Sequence, residues 1–292
     1  MFCHKITLIG VGLLGGSLGL AIKKHRVADG VEGYVRRPAS VAECERVGAV
    51  DRATTDLASA VDGADFVVLC TPLAQMRGLT ERMLPQLKRE AIVTDVGSVK
   101  ESVVRELEPM LSSAGVHFVG SHPMAGAETM GVSHARADLF QDAVCAVTPS
   151  RGAPSGATEK VEEFWRLVGA RPVRLTSALH DELVSRSSHL PHVVAAELAN
   201  YVLSPVHSKE QAMLCANGFR DTTRIASGSP EMWRDIALAN RQHLARVLGV
   251  FIEDLQEFRH ALDAVDEKAV AEFFEKAKER RDAWCDRARS PE

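Results

Sequence analysis

Between Lys5 and about Pro149, short apolar runs rich in β-branched residues alternate with amphipathic stretches, the pattern of a parallel sheet covered by helices. The runs predict strands at 6–10, 33–35, 66–70, 92–96, 117–120 and 143–148. Several are apolar almost throughout, as strands buried on both faces should be. Helices are predicted between them at 14–24, 39–47, 73–87 and 99–112. A Gly/Pro/Ser-rich stretch over 149–156 marks a loop, and one more helix and a strand at 172–175 can belong to the same domain. From 178 to 289 the alternation of strands stops and helical spacing dominates. Residues 230–258 read as one long periodic segment, with Trp233, Ile236, Leu244, Val247, Leu248 and Phe251 on a stripe that suits either a core or a dimer interface. The division is therefore an α/β domain over 1–176 and an all-α domain over 177–292.

Composition narrows the class. A chain of 292 residues with 46% hydrophobic and 25% charged residues is long enough for about two domains and too apolar to be disordered. A net charge of -4 without basic runs gives no electrostatic footprint for nucleic acid. The six cysteines are scattered, with no C-x-x-C pair, which predicts reduced thiols and a cytoplasmic protein rather than a zinc site or disulfide framework. No export signal is read at the start of the chain. The most apolar stretch, 8–22, contains five glycines and is too short to span a bilayer, so no membrane partner is expected.

Those glycines have another use. Gly10-Val11-Gly12-Leu13-Leu14-Gly15 follows the first strand directly and opens a helix, the context in which G-x-G-x-x-G binds a dinucleotide. The first glycine makes the turn, the second admits the pyrophosphate to the backbone, and the third lets helix and strand pack closely. A ligand-free glycine turn is the plain alternative. The acidic residue that would hold a ribose 2′-hydroxyl is missing: Val35 stands there, followed by Arg36 and Arg37, which suit a 2′-phosphate. NADP is the favoured cofactor, with NAD as the alternative if the two arginines only face solvent. Thr71 and Pro72, at the end of the 66–70 strand, fall at the carboxyl edge of the sheet, where such folds bind ligands.

Four polar segments carry candidate chemistry: 95–100 (DVGSVK), 120–128 (GSHPMAGAE), 187–192 (SSHLPH) and 218–226 (GFRDTTRIA). Arg220 and Arg224, four apart, suit a substrate with two carboxylates if they share a helical face, or an ordinary ion-pair face with Asp221 and Asp235. His189 and His192 have the spacing of a metal pair but lack a third ligand, so no metal is expected.

These motifs, in this order and together with Pro230-Glu-Met-Trp-Arg-Asp-Ile236, resemble the prephenate and arogenate dehydrogenases of tyrosine biosynthesis over nearly the whole chain. The resemblance implies a Rossmann-like N-terminal domain, an all-α C-terminal dimerisation domain, a homodimer, and an active site in the cleft between domains. It implies that His122 takes the proton of the ring 4-hydroxyl while hydride leaves the same carbon, after which the ring carboxylate departs as carbon dioxide. Ser98 would hydrogen-bond to His122. Arg224 would bind a substrate carboxylate with Arg220 reinforcing the field, His192 would contact the substrate side chain, Glu128 would sit at the cleft mouth, and Trp233 would reach a partner's site. Val35, where many members have Asp, and Asn217, where glycine is usual, depart from the pattern. A regulatory ACT domain is not expected, so feedback would act at the active site. The competing readings are a hydroxyacid or imine reductase of the same plan and a non-catalytic NADP sensor.

Overall fold

A computed structural model describes residues 2–127 and 129–289. The chain forms two compact units, Met1–Arg241 and Gln242–Glu292. The first unit opens with strand β1 (Cys3–Ile9), helix α1 (Leu13–His25), β2 (Ala28–Tyr34), α2 (Ala39–Arg46), β3 (Arg52–Thr54), α3 (Leu57–Val61), β4 (Phe66–Leu69), α4 (Leu73–Met83), β5 (Ile92–Asp95), α5 (Glu101–Ser113) and β6 (His117–Phe118). The six strands make one parallel sheet in the order β3-β2-β1-β4-β5-β6. Alternate residues of each strand enter opposite cores: Ile6, Leu8, Phe66 and Val68 on one face, Ile9, Val67 and Leu69 on the other. The strand order reverses between β1 and β4, which opens a crevice at their carboxyl ends.

The sequence pattern missed β3 and α3, whose three and five residues are too short to show a period. The helix is started by its cap: Asp56 Oδ1 accepts from Ala58 N at 3.0 Å and Ser59 N at 3.3 Å. Two strand expectations are corrected. Residues 117–120 are not one strand, because the chain leaves the parallel sheet after β6 and starts a second sheet with β7 (Gly120–Pro123). Its partner is β8 (Val144–Thr148), which runs antiparallel to β7 and is therefore no part of the parallel sheet. After α6 (Ser155–Leu167), β9 (Arg171–Arg174) completes this three-stranded sheet, parallel to β8. Ser121 joins the two sheets: its N–H donates to Asp95 Oδ1 at 3.0 Å, its hydroxyl donates to Asp95 O at 2.6 Å, and Trp165 Nε1 donates to its Oγ at 2.9 Å.

The rest of the unit is helical: α7 (Ser177–Val184), a π-turn (Ser185–His189), α8 (Leu190–Val202), α9 (Lys209–Met213), α10 (Asn217–Thr223), a 3-10 turn (Arg224–Ser227) and α11 (Pro230–Ala239). Pro191, in the first turn of α8, has no N–H to donate and its ring crowds the carbonyl four residues back. The wider π-turn just before it relieves that crowding.

The segment expected to be continuous from 230 to 258 is broken. Helix α12 (Arg241–Asp263) starts only after Asn240, whose backbone (φ -106°, ψ 25°) ends α11. The hydrophobic period continues through the break because Ile236, Leu244 and Val247 are all buried, so the pattern alone hides it. Within the second unit, α12 and α13 (Glu267–Arg289) form a hairpin whose turn passes through Val265 at φ 52°. Phe258 packs on Phe273 (centroids 4.4 Å apart) and on Phe274 (5.7 Å). Among the described residues, no helix is long and apolar enough to cross a membrane.

Candidate active site

The glycine turn lies at the crevice between β1 and β4. Gly10 has φ 97°, and a Cβ there would stand 2.9 Å from Cys70 O and from Thr71 Cγ2. A Cβ on Gly15 would come within 2.0 Å of Gly10 O, so the close approach of helix and strand depends on that residue. At Gly12, by contrast, a Cβ would meet nothing within 4 Å. Gly12 is also the N-cap of α1 and supplies no side-chain cap, which leaves N–H groups at Leu13 and Leu14 for an anion at the positive end of the helix. Across the crevice, Thr71 Oγ1 is buried with no hydrogen-bond partner, and Pro72 N-caps α4. These features fit a dinucleotide. Val35 is buried directly after β2, and Arg36 and Arg37 follow it exposed.

His122 sits on β7, paired with Ala146 of β8. Its expected hydrogen bond with Ser98 is not formed. Its Nδ1 lies 2.9 Å from His180 Nε2, and His180 Nδ1 lies 2.7 Å from Asp181 Oδ1. Ser98 follows β5 in the loop 96–100, partly exposed. That loop is held from beneath by a buried ion pair between Lys100 and Asp95. Asp95 Oδ2 also accepts from Gly97 N at 2.8 Å, and Lys100 Nζ donates to Ser121 O at 2.9 Å. One buried pair thus tethers both candidate catalytic loops. Sequence reasoning noted Asp95 and Lys100 only as ends of a motif, and it missed His180, Asp181 and Asn240 altogether. The buried pair is read from the fold, since nothing in a charged residue's local context marks it as wholly enclosed.

Three histidines form the wall beyond His122. Asn240 Nδ2 donates to Asp181 O at 2.9 Å and to His189 Nδ1 at 3.1 Å, which places the His189 proton on Nε2. That Nε2 is buried without a partner. His192 Nδ1 donates to Ser188 O at 2.9 Å, and its ring stacks on Trp233 at a centroid distance of 3.7 Å. Trp233 thus stacks on a histidine of its own chain. In the histidine pair at metal-like spacing each Nδ1 is taken up by these bonds, and the described residues contain no cluster of metal ligands.

Arg220 is on α10, which ends at Thr223, and Arg224 opens the 3-10 turn that continues it with helical dihedrals (φ -49°, ψ -43°). Both are exposed. Asp235, one carboxylate of the alternative ion-pair face with Asp221, is paired with Arg234 Nη2 at 2.7 Å. Glu128 lies outside the described residues.

Burial pushes the pKa of His122 well down, and His180, Lys100 and His189 add to the effect. Burial also lowers His189 to about 4, with Asp181 opposing. His192 is lowered as well, mainly by burial. His122, His189 and His192 are therefore neutral near pH 7. A stability cost follows. The unfolded chain binds protons at its histidines below about pH 6.5 while the folded chain resists, so stability falls with acidification. His189 alone should account for about 2 kcal/mol lost between pH 7 and pH 5. Urea unfolding at the two pH values checks this, and a His189→Asn variant should lose correspondingly less.

A parallel sheet with a glycine turn at its switch point, followed by helices that carry neutral histidines and exposed arginines, defines the class of two-part dinucleotide-dependent oxidoreductases. Residues 18–174 match the family described as "Prephenate dehydrogenase, nucleotide-binding domain", and residues 176–277 match "Prephenate dehydrogenase, dimerization domain". The chain belongs to the prephenate dehydrogenase family. It is 34% identical to the cyclohexadienyl dehydrogenase of Zymomonas mobilis over 284 residues, 96% of each chain. It is also 34% identical to the prephenate dehydrogenase of Bacillus subtilis, over 95% of this chain and 75% of that one. Among solved structures, prephenate dehydrogenase from A. aeolicus, in complex with hydroxyphenyl propionate and NAD+, superposes with a TM-score of 0.89 at 29% identity, covering 95% and 97% of the two chains. The Rossmann-like and helical architecture expected from the sequence is borne out, as is a nicotinamide-dependent oxidoreductase.

Proposed function

We propose that the protein catalyses the NAD(P)-dependent oxidative decarboxylation of prephenate to 4-hydroxyphenylpyruvate, with division of labour between residues 1–176 and 177–292. The observation that carries this reading is His122: a neutral ring whose Nδ1 is engaged by His180, leaving Nε2 as the free base. Its role is to take the 4-hydroxyl proton. Gly10, Gly12, Leu13, Leu14, Gly15, Thr71 and Pro72 would hold the cofactor, which when bound accepts a hydride. Ser98 would bind the substrate hydroxyl. Arg224, with Arg220 beside it, would bind the substrate's carboxylates, and His192 its side chain, while Trp233 fixes the plane of the His192 ring. Loss of the ring carboxylate as carbon dioxide returns its electron pair to the ring, and the proton goes back to the phenolic oxygen.

NADP is the preferred cofactor in this reading, because Arg36 and Arg37 stand exposed at the end of β2 where an acidic side chain would repel a 2′-phosphate. The protein acts as a cytoplasmic homodimer. Val250, Ile252, Leu255, Leu262, Phe274 and Trp284 leave apolar surface exposed on the second unit, and the six thiols are unpaired.

Absorbance at 340 nm, with prephenate and arogenate each tested against NADP and NAD, checks the assignment. Prephenate with NADP is expected to give the largest kcat/KM. A dominant arogenate rate would move the substrate, and silence in all four would leave only the fold. Arg36→Ala should raise the KM for NADP by roughly 10- to 100-fold and leave that for NAD nearly unchanged. Equal changes for both cofactors would remove Arg36 from the phosphate site.

A further inference from the structure

Asp181 is fully engaged at the start of α5: its Oδ1 accepts from Lys100 N at 2.7 Å and its Oδ2 from Glu101 N at 2.8 Å. It stands there as the acidic partner of a helix N-terminus and can only accept. His180 Nδ1, 2.7 Å from Asp181 Oδ1, must therefore carry a hydrogen. In the neutral ring this leaves His180 Nε2 as a lone pair, and His122 Nδ1, 2.9 Å away, must donate to it. The proton positions of both rings follow from one carboxylate. Asp181 and His180 are each about 1% exposed, so water does not compete for these bonds.

We infer that His180 and Asp181 are positioning residues that hold His122 in the tautomer with hydrogen on Nδ1, so that its Nε2 is the base. A neutral imidazole has two tautomers of comparable stability, and only one of them leaves Nε2 free. When Nε2 takes the substrate proton, the new positive charge on His122 is shared along the bond to His180 and towards the Asp181 carboxylate. The proton on Nε2 is the one later returned to the phenolic oxygen, so the relay gains and loses nothing over a cycle. Asn240 secures the far end, since it donates to the backbone carbonyl of Asp181. This break between α11 and α12 thus places a donor against the residue that starts the relay.

The inference rests on the reading of His122 as the base, and its test separates the two. Selective 15N labelling of histidine, with the His122 signals assigned by their loss in His122→Asn, reports which ring nitrogen carries the hydrogen. The wild-type protein should show His122 protonated at Nδ1, and hydrogen on Nε2 would overturn the relay whatever any variant does. His180→Leu should switch His122 to the Nε2 form and lower kcat about 10- to 100-fold, with KM changed by less than about threefold. His180→Gln places a carbonyl oxygen near the former Nε2 and should restore the Nδ1 form and most of kcat. A loss in His180→Gln equal to that in His180→Leu, or in KM rather than kcat, would mean that His180 only packs. If His122 has hydrogen on Nδ1 but His122→Asn keeps its turnover, the tautomer device stands and the base reading fails.

Discussion

His122→Asn should lower kcat by roughly 100- to 10,000-fold while cofactor affinity stays nearly unchanged. Asparagine offers its side chain to His180 near the former Nδ1 but has nothing at the position of Nε2. The cofactor cradle is untouched, because the glycine turn after β1 and Thr71 after β4 lie on other strands of a rigid sheet. Steady-state turnover, paired with cofactor titration by fluorescence, checks both halves. Near-full turnover would remove His122 as the base, and a parallel loss of cofactor binding would make its role structural.

The second large effect is on stability. Lys100→Met is expected to cost about 3–5 kcal/mol, because it leaves the Asp95 carboxylate buried with only the N–H groups of Gly97 and Ser121 to face. Both groups of the pair are completely enclosed, so water cannot enter to compensate. The Ser121 carbonyl would also lose its donor, Lys100 Nζ, and with it β7 would lose a tether beside His122. Urea unfolding measures the loss, and a change below about 1 kcal/mol would show that the pair is dispensable. Adding Asp95→Asn should recover part of the cost, since the stranded charge is then gone.

Much of this architecture was legible because its signals are local. The strands β1, β4 and β5 are apolar runs bounded by turn residues, and Gly10, Gly12 and Gly15 are spaced by the demands of one turn. The same holds for the exposed Arg36 and Arg37, whose meaning depends on their distance from that turn. Where several residues contribute through separate loops, the motif order still placed Ser98, His122, His192 and Trp233 among the candidates. Short elements escaped, since three residues of β3 and five of α3 carry no period. The break at Asn240 escaped for the opposite reason: the apolar stripe runs straight through it.

What the sequence by itself determined was the parallel sheet, the dinucleotide turn and the residue types available for chemistry, all of which follow from spacing along the chain. The tertiary structure decided which of those side chains meet. His122 and His180 are separated by 58 positions, and Lys100 and Asp181 by 81, so their bonds exist only after β7, α5 and α7 have packed. The partner of a hydrogen bond, and therefore the position of a proton, depends on that packing. A reading along the chain assigned the partner of His122 to Ser98, and the fold gave it to His180.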